Sequence, residues 1–567
     1  MTTETLDRED VAPAEAPPRT RSPARVVAVA ALALLAMYMT LSFLDDTRGT
    51  LGSDSGAKVA TLRVMGQRNT FDPDIGYWAE KLDPRGRLHP MYASVHIDDR
   101  WIGVTTVPML VVVHPLYELG GMRAALLVPM LGGVLAALAA RALARRLGDG
   151  GGWWAFWAVG LATPIAVYAL DFWEHSLGVA AMVWAVVFVL DVIDGRAGWR
   201  GALAAGALFG LAATMRTEAL VYALVAVGTV WLELGRSRVA GTRAAAVARV
   251  GAMGTGIAGV LVANELLERL IIGDGFRSGR ASATAGGAAG GITKRIEEAL
   301  TTMVGLTRFP NAGEWVLGVV LVIALGVVAW GMTRDDARAR RVATVAGATA
   351  VFIYLLRFAT GLGFVPGMLT ASPLAVAGIL LWRDGRGRRM VGLAVAALPI
   401  VWVFQYSGGA GPQWGGRYVL VTGTLLAIAG VIALRSYGRI VFGLFFVAGL
   451  AVTACGIAWT SARSHAVADA MERLESRRDE VLVSRERFLL REGGAFYEPD
   501  QRWLTAPSDR ERRRAFEVAA EAGFHEVRLI QAPERPIPQS VAGFSRQATE
   551  RIDFFPNTPV NVITYRG

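Results

Sequence analysis

Residues 153–193 read WWAFWAVGLATPIAVYALDFWEHSLGVAAMVWAVVFVLDVI. Two apolar runs, 153–170 and 176–193, flank a short connection, Asp171-Phe172-Trp173-Glu174-His175. At about 1.5 Å per residue each run makes a helix of roughly 27 Å, close to the ~30 Å hydrocarbon core of a bilayer. The first run carries no charge and the second only Asp191, near its end. Two such segments back to back read as a membrane hairpin with an ionisable turn.

The same pattern extends along most of the chain. Further apolar runs occupy 26–44, 123–144, 201–215, 218–234, 250–272, 315–332, 342–360, 366–382, 390–406, 418–434 and 440–460. The expected fold is an all-α polytopic membrane protein of about thirteen spans. The composition agrees: of the 567 residues 53% are hydrophobic and only 19% charged, with a mean hydropathy of +0.39. That excludes a soluble multidomain enzyme, a fibrous protein and a disordered chain. The net charge of +10 does not point to nucleic acid, because the arginines flank apolar runs. Cys455 is the single cysteine, so neither an intrachain disulfide nor a cysteine metal site is available.

Arginine placement sets the orientation. Residues 1–25 read as a polar, Pro-rich, disordered cytoplasmic tail. Residues 101–119 are apolar enough to cross, but hold Pro108, His114, Pro115 and Glu118. If they stay at the surface, the clusters at Arg145/Arg146, Arg196/Arg200, Arg334–Arg341, Arg383–Arg389 and Arg435/Arg439 all face the cytoplasm. If they cross, every cluster flips outside, against the positive-inside rule. The expected domains are therefore the tail, a membrane domain at 26–460 with outside loops 45–122 and 273–314, and an extracytoplasmic segment at 461–567. The second loop reads as helical over Thr293–Met303. The C-terminal segment has a soluble composition and reads as a small α/β domain. Its strands are expected at Glu480–Ser484, His525–Gln531 and Val560–Tyr565, with a helix at 508–523.

The candidate chemistry sits at the outer ends of spans, where ionisable groups are cheaper than at membrane depth. Asp45, Asp46 and Asp54 open the first outside loop, and any of them suits a general base. Equally, these acids suit capping of the helix after Ser53, with Asp54 an ordinary first-turn acid. Gly52 and Gly56 favour close approach of another group beside Asp54, and Lys58 follows one turn later. Asp171, Glu174 and His175 crowd one hairpin; His175 suits a proton or metal carrier, or simply an interfacial belt. Arg216 and Glu218 sit between two spans, and Arg417 and Arg357 lie at the ends of others. A guanidinium there suits a lipid phosphate, or a pairing that only orients its helix. There is no P-loop and no H-E-x-x-H.

Two strings carry a resemblance. Gly210-Leu-Ala-Ala-Thr-Met-Arg216-Thr-Glu218-Ala-Leu resembles the "L-x-R-P-E-A-L" stretch of the GT-C class of membrane glycosyltransferases, with Thr217 where Pro is usual. Gln413-Trp-Gly-Gly-Arg417-Tyr resembles that class's "G-x-R-[FY]" stretch. The class includes protein O-mannosyltransferases, the aminoarabinose transferase of lipid A, and actinobacterial arabinosyl- and mannosyltransferases. The long acidic first loop and the second loop at 273–314 fit the same layout. The resemblance implies a polyprenyl-phosphate sugar donor and a glycan, lipid or protein acceptor. It implies catalysis outside the cytoplasm with inversion, and a first-loop Asp as base. By position that is Asp54, with Asp45 and Asp46 in reserve, because the usual adjacent Asp-Glu pair is replaced by Asp45-Asp46. No cofactor is obligatory, since the donor carries one phosphate, although a divalent metal is compatible. The rival readings are a lipid or glycolipid flippase, an oligosaccharide transferase with a pyrophosphate-linked donor, and a non-catalytic scaffold.

Overall fold

The computed structural model describes residues 23–50, 52–103, 107–148, 150, 152–235, 242–277, 291–308, 310–383, 385–405, 414–475, 479–553 and 559–567. The expected tail, except for its last residues, lies outside these, as does the glycine stretch 406–413.

Helices account for every expected run. They are α1 (Pro23–Ser42), α2 (Ser53–Arg68), α3 (Val107–Ala125), α4 (Leu127–Arg146), α5 (Trp153–Leu161) and α6 (Ile165–Ala169). Next come α7 (His175–Ile193), α8 (Trp199–Met215), α9 (Ala219–Gly235), α10 (Thr242–Ile271), α11 (Ile292–Val304), α12 (Ala312–Gly331) and α13 (Ala337–Phe358). The series closes with α14 (Met368–Ala371), α15 (Pro373–Ala377), α16 (Gly385–Gln405), α17 (Leu420–Tyr437) and α18 (Arg439–Arg473). Among the described residues, nine helices are long and apolar enough to cross a membrane. The run 153–170 is not one helix but two: Pro164 has no N–H to donate, and the chain turns between α5 and α6. Residues 366–382 break likewise at Pro373, into α14, α15 and a 3₁₀ segment, Gly378–Arg383.

Ion pairs tie the arginine clusters together. Arg146 at the end of α4 meets Asp191 in α7 at 2.6 Å. Arg389 in α16 bridges Asp194, just beyond α7, and Glu233 in α9 at 3.0 and 2.9 Å. These ends share one side of the bundle, opposite the start of α7 at His175. Within 101–119 no described residue belongs to one of the nine spans: 101–103 join a hairpin, β1 (Ser94–Ile97) with β2 (Arg100–Gly103), and 107–119 lie in α3, kinked at Gly120–Gly121.

α18 runs unbroken for 35 residues, about 52 Å, too long for a bilayer alone. Its last turns bury Val467, Ala470 and Met471 in a core that also holds Ala57, Ala60 and Val64 of α2. The segment after α1 and the C-terminal domain thus fold as one body. That domain has α19 (Leu489–Glu492), α20 (Asp509–Glu521) and a six-stranded sheet. The strands are β3 (Glu480–Ser484), β4 (Trp503–Thr505), β5 (Glu526–Gln531), β6 (Ser540–Val541), β7 (Phe544–Asp553) and β8 (Pro559–Arg566). Their order is β4-β3-β5-β8-β7-β6, parallel around β3 and antiparallel beyond β5.

Candidate functional site

Asp54 stands in the first turn of α2. The helix N-cap is Gly52, with no side-chain cap hydrogen bond. The Asp54 carboxylate instead accepts from Arg417 Nη1 at 2.8 Å and lies 3.5 Å from Arg491 Nη2. Glycine sets this approach. A Cβ on Gly56 would lie 1.7 Å from the Arg491 carbonyl oxygen, and one on Gly494 would lie 1.7 Å from the Gly56 carbonyl oxygen. Backbone therefore touches backbone where α2 meets the C-terminal domain. Arg417 is delivered by Gly415 and Gly416, both with φ near +70°, the second pressed against the Thr302 carbonyl.

The remaining charges form a buried lattice around this pair. Lys58 is hydrogen-bonded to Glu174. Arg216 Nε donates to Glu218 at 2.8 Å, and Arg216 Nη1 lies 3.9 Å from Glu174. Arg216 and Arg417 place their guanidinium carbons 5.3 and 4.7 Å from the centre of the same ring, that of Tyr418. Removing one partner of such a buried pair costs about 3–5 kcal/mol, so the lattice holds its geometry firmly. Yet its donors are not all used. Arg216 Nη2 and Arg417 Nε are buried and donate to no atom among the described residues. Both nitrogens of His175 are equally unmet, in a ring stacked against Trp173 at 4.4 Å and Tyr168 at 4.8 Å.

Asp54 itself keeps 43% of its side-chain surface open while the arginines around it are almost closed off. Burial pushes its carboxyl upward, but Arg417, Arg491, Lys58 and Arg216 outweigh this and hold it below the usual carboxylate range.

The other expected residues divide. Asp171 joins the site through Ser55, whose hydroxyl donates to it at 2.5 Å, beside Asp54 in sequence. Asp46 does not join: it binds Arg48 at 2.8 Å, and Arg48 also holds Glu472 on the surface, because an Asp–x–Arg turn satisfies both charges locally. Arg357 stands apart too, paired with Glu314 at 3.1 Å. Arg491 had no sequence signal, since it comes from the C-terminal domain; neither did Ser55.

Asp45 lines a small cavity with Asp171, Thr460 and Ser464. Burial, then the Asp171 charge, push its carboxyl up to about 7 from the usual 3.8. A carboxyl whose folded pKa is raised costs stability progressively as pH climbs from the unfolded value to the folded one, and the cost is complete above it. Asp45→Asn is therefore expected to leave the unfolding temperature unchanged near pH 4 and to raise it increasingly up to about pH 7, with no further gain beyond. Thermal unfolding at three pH values checks this; an equal shift at all three would contradict it.

Among the described residues no group of three or more His, Cys, Asp or Glu is placed to hold a metal.

The fold and its buried charge lattice define a polytopic helical membrane protein with an α/β domain packed on its first loop. No family profile matches the chain, and no curated protein matches it. Among solved structures the chain is similar to ArnT from Cupriavidus metallidurans bound to undecaprenyl phosphate, at 15% identity, 95% of this chain and 97% of that one, and a TM-score of 0.46. It is also similar to the Archaeoglobus fulgidus oligosaccharyltransferase in the apo form, at 11% identity, 88% and 69% coverage, and a TM-score of 0.45. The same oligosaccharyltransferase in complex with an inhibitory peptide and a dolichol-phosphate gives 12% identity, 88% and 69% coverage, and a TM-score of 0.41.

Proposed function

We propose that this chain is a glycosyltransferase that moves a sugar from a polyprenyl-phosphate donor to a hydroxyl of a cell-envelope acceptor. The reaction belongs to the face opposite the arginine-rich loops, which the positive-inside rule makes the extracytoplasmic one. The observation that carries the reading is the pair of buried, unused guanidinium donors on Arg216 and Arg417, both beside the Tyr418 ring and near a partly exposed carboxylate. Buried polar groups are ordinarily satisfied, and unmet guanidinium N–H groups call for an anion.

A single phosphate suits them. Its lipid tail stays in the bilayer while its oxygens take Arg417 Nε and Arg216 Nη2. The arriving charge offsets the cations that hold Asp54 low, so the carboxylate becomes a stronger base once the donor is seated. The acceptor oxygen then attacks the anomeric carbon as its proton passes to Asp54. The bond from that carbon to the phosphate oxygen breaks, and the lipid phosphate leaves with the electron pair, stabilised by both arginines. A single displacement inverts the anomeric carbon. Lys58, Glu174 and Glu218 hold the arginines in place, and Asp171 fixes the start of α2 through Ser55.

The test is binding of undecaprenyl phosphate to the purified chain by native mass spectrometry. One tightly held lipid phosphate is expected, and phosphatidylglycerol at equal concentration should not displace it. Equal retention of any anionic lipid would overturn the assignment.

A further inference from the structure

A groove lies between the segment after α2 and the first turns of α20. Arg85 and Arg87 come from one wall, and Arg510 and Arg513 from the other. All four are exposed, and none has a hydrogen bond or ion pair among the described residues. The carboxylates that share the groove are spoken for. Asp83 accepts from Tyr77 Oη at 3.0 Å and from the Leu88 N–H at 2.8 Å. Glu511 closes the capping box of α20 with Ser508. Glu517 pairs with Arg514. Those hydrogen bonds leave the carboxylates charged, but five arginines against three carboxylates line the groove, a net charge of +2 and a positive local field.

The first wall of the groove leads on along the chain toward the Asp54 site. Thr505 ties both Leu88 and Pro90 to β4. Two residues on, the Tyr92 carbonyl accepts from Arg491 Nη1 at 3.1 Å, and Arg491 is the residue beside Asp54. Tyr92 also meets Phe488 edge-on at 5.2 Å, and Phe488 is 48% exposed. An exposed aromatic beside the site is a surface on which a sugar ring stacks. Arginines in a row, then an aromatic, then the proposed base is the order that a charged glycan chain would meet.

We infer that this groove binds an anionic glycan polymer, whose repeated phosphodiesters or carboxylates pair with Arg85, Arg87, Arg510 and Arg513. The inference rests on the glycosyltransferase reading for its biological sense, naming the acceptor's chemical class, but the groove's binding is measured separately from sugar transfer. Guanidinium forks pair with either anion through two parallel N–H donors, so the two are distinguished by experiment.

The experiment uses the full chain in nanodiscs of neutral lipid. Fluorescently labelled oligogalacturonate, glycerol-phosphate oligomer and neutral dextran oligomer, matched in length, are titrated against it at low and high salt. At least one anionic oligomer is expected to bind and dextran to bind at least tenfold more weakly, with the anionic affinity falling steeply as salt rises. The oligomer that binds tells phosphodiester from carboxylate. A variant with Arg85, Arg87, Arg510 and Arg513 all changed to Gln should lose at least tenfold; the double variants Arg85→Gln/Arg87→Gln and Arg510→Gln/Arg513→Gln read the same loss if the fourfold one fails to fold. Equal binding of dextran, unchanged anionic binding in the variants, or arginine-dependent binding to phosphatidylglycerol vesicles alone would overturn the inference. Loss of sugar transfer with oligomer binding intact would strike the transferase reading and leave the groove standing.

Discussion

Asp54→Asn is expected to lower the rate of sugar transfer by roughly 10²- to 10⁴-fold, the usual worth of a general base. The substitution keeps the size of the side chain and removes its charge. The N-cap of α2 is Gly52, without a side-chain cap bond, so no such bond is lost there. What changes is the anion between Arg417 and Arg491. In the free protein that anion competes with the donor phosphate for Arg417, so the variant should bind undecaprenyl phosphate as well as the parent or better. A fall in kcat with retained or tightened donor affinity is the signature of a base. A merely structural carboxylate would weaken both together, since its loss would loosen the two arginines. Transfer at near the parental rate would move the role to another carboxylate; Asp45 shares the Asp171 cavity and is the next to test.

Arg417→Ala is expected to weaken use of the donor. A charge-assisted contact contributes roughly 1.5–3 kcal/mol, so donor use should fall about tenfold to a hundredfold. Asp54 keeps Arg491 in this variant, and its carboxyl rises because its closest cation is gone. The base is thus not lost; the missing ground-state contact raises KM for the donor, and the weaker stabilisation of the departing phosphate lowers kcat as well. Arg417→Lys should recover little. A lysine ammonium is a point charge and cannot reach Asp54, Tyr418 and a phosphate from one planar fork. Full recovery by lysine would show that only a positive charge is needed, with no directed contact. Loss of folded protein in both variants would assign Arg417 to the helix lattice instead.

Much of this was legible in the chain itself, for identifiable reasons. A span announces itself because every residue of an apolar run contributes to it, so α4, α7 and α17 stand out. The break before α6 hides inside such a run, since Pro164 changes hydrogen bonding without changing hydropathy. In the C-terminal domain, β3, β5 and β8 show as apolar runs because both their faces or one whole face are buried. β7 shows nothing: eight of its ten residues are exposed or face solvent, so Phe544 and Ile552 are its only buried anchors. The site divides in the same way. Asp54 was visible through Gly52 and Gly56, which mark a close approach, and Arg417 through the glycines before it. Arg491 was invisible, because its place beside Asp54 depends on Gly56 and Gly494 meeting across 438 residues of chain. The sequence does not show how Asp46 is engaged, because an acid at a span's end looks the same whether it meets a cavity, its own neighbour Arg48, or both.

The central claim is that the chain consumes a polyprenyl-phosphate sugar at Asp54. The most direct test reconstitutes the full chain in proteoliposomes with a panel of undecaprenyl-phosphate-linked hexoses and pentoses and a cell-envelope polysaccharide fraction, and follows donor and product by mass spectrometry. One donor should be converted to undecaprenyl phosphate with matching gain of an anomerically inverted sugar on the acceptor, and the Asp54→Asn protein should convert almost none. Donor that crosses the bilayer unaltered, or conversion that proceeds equally in the Asp54→Asn protein, would contradict the account.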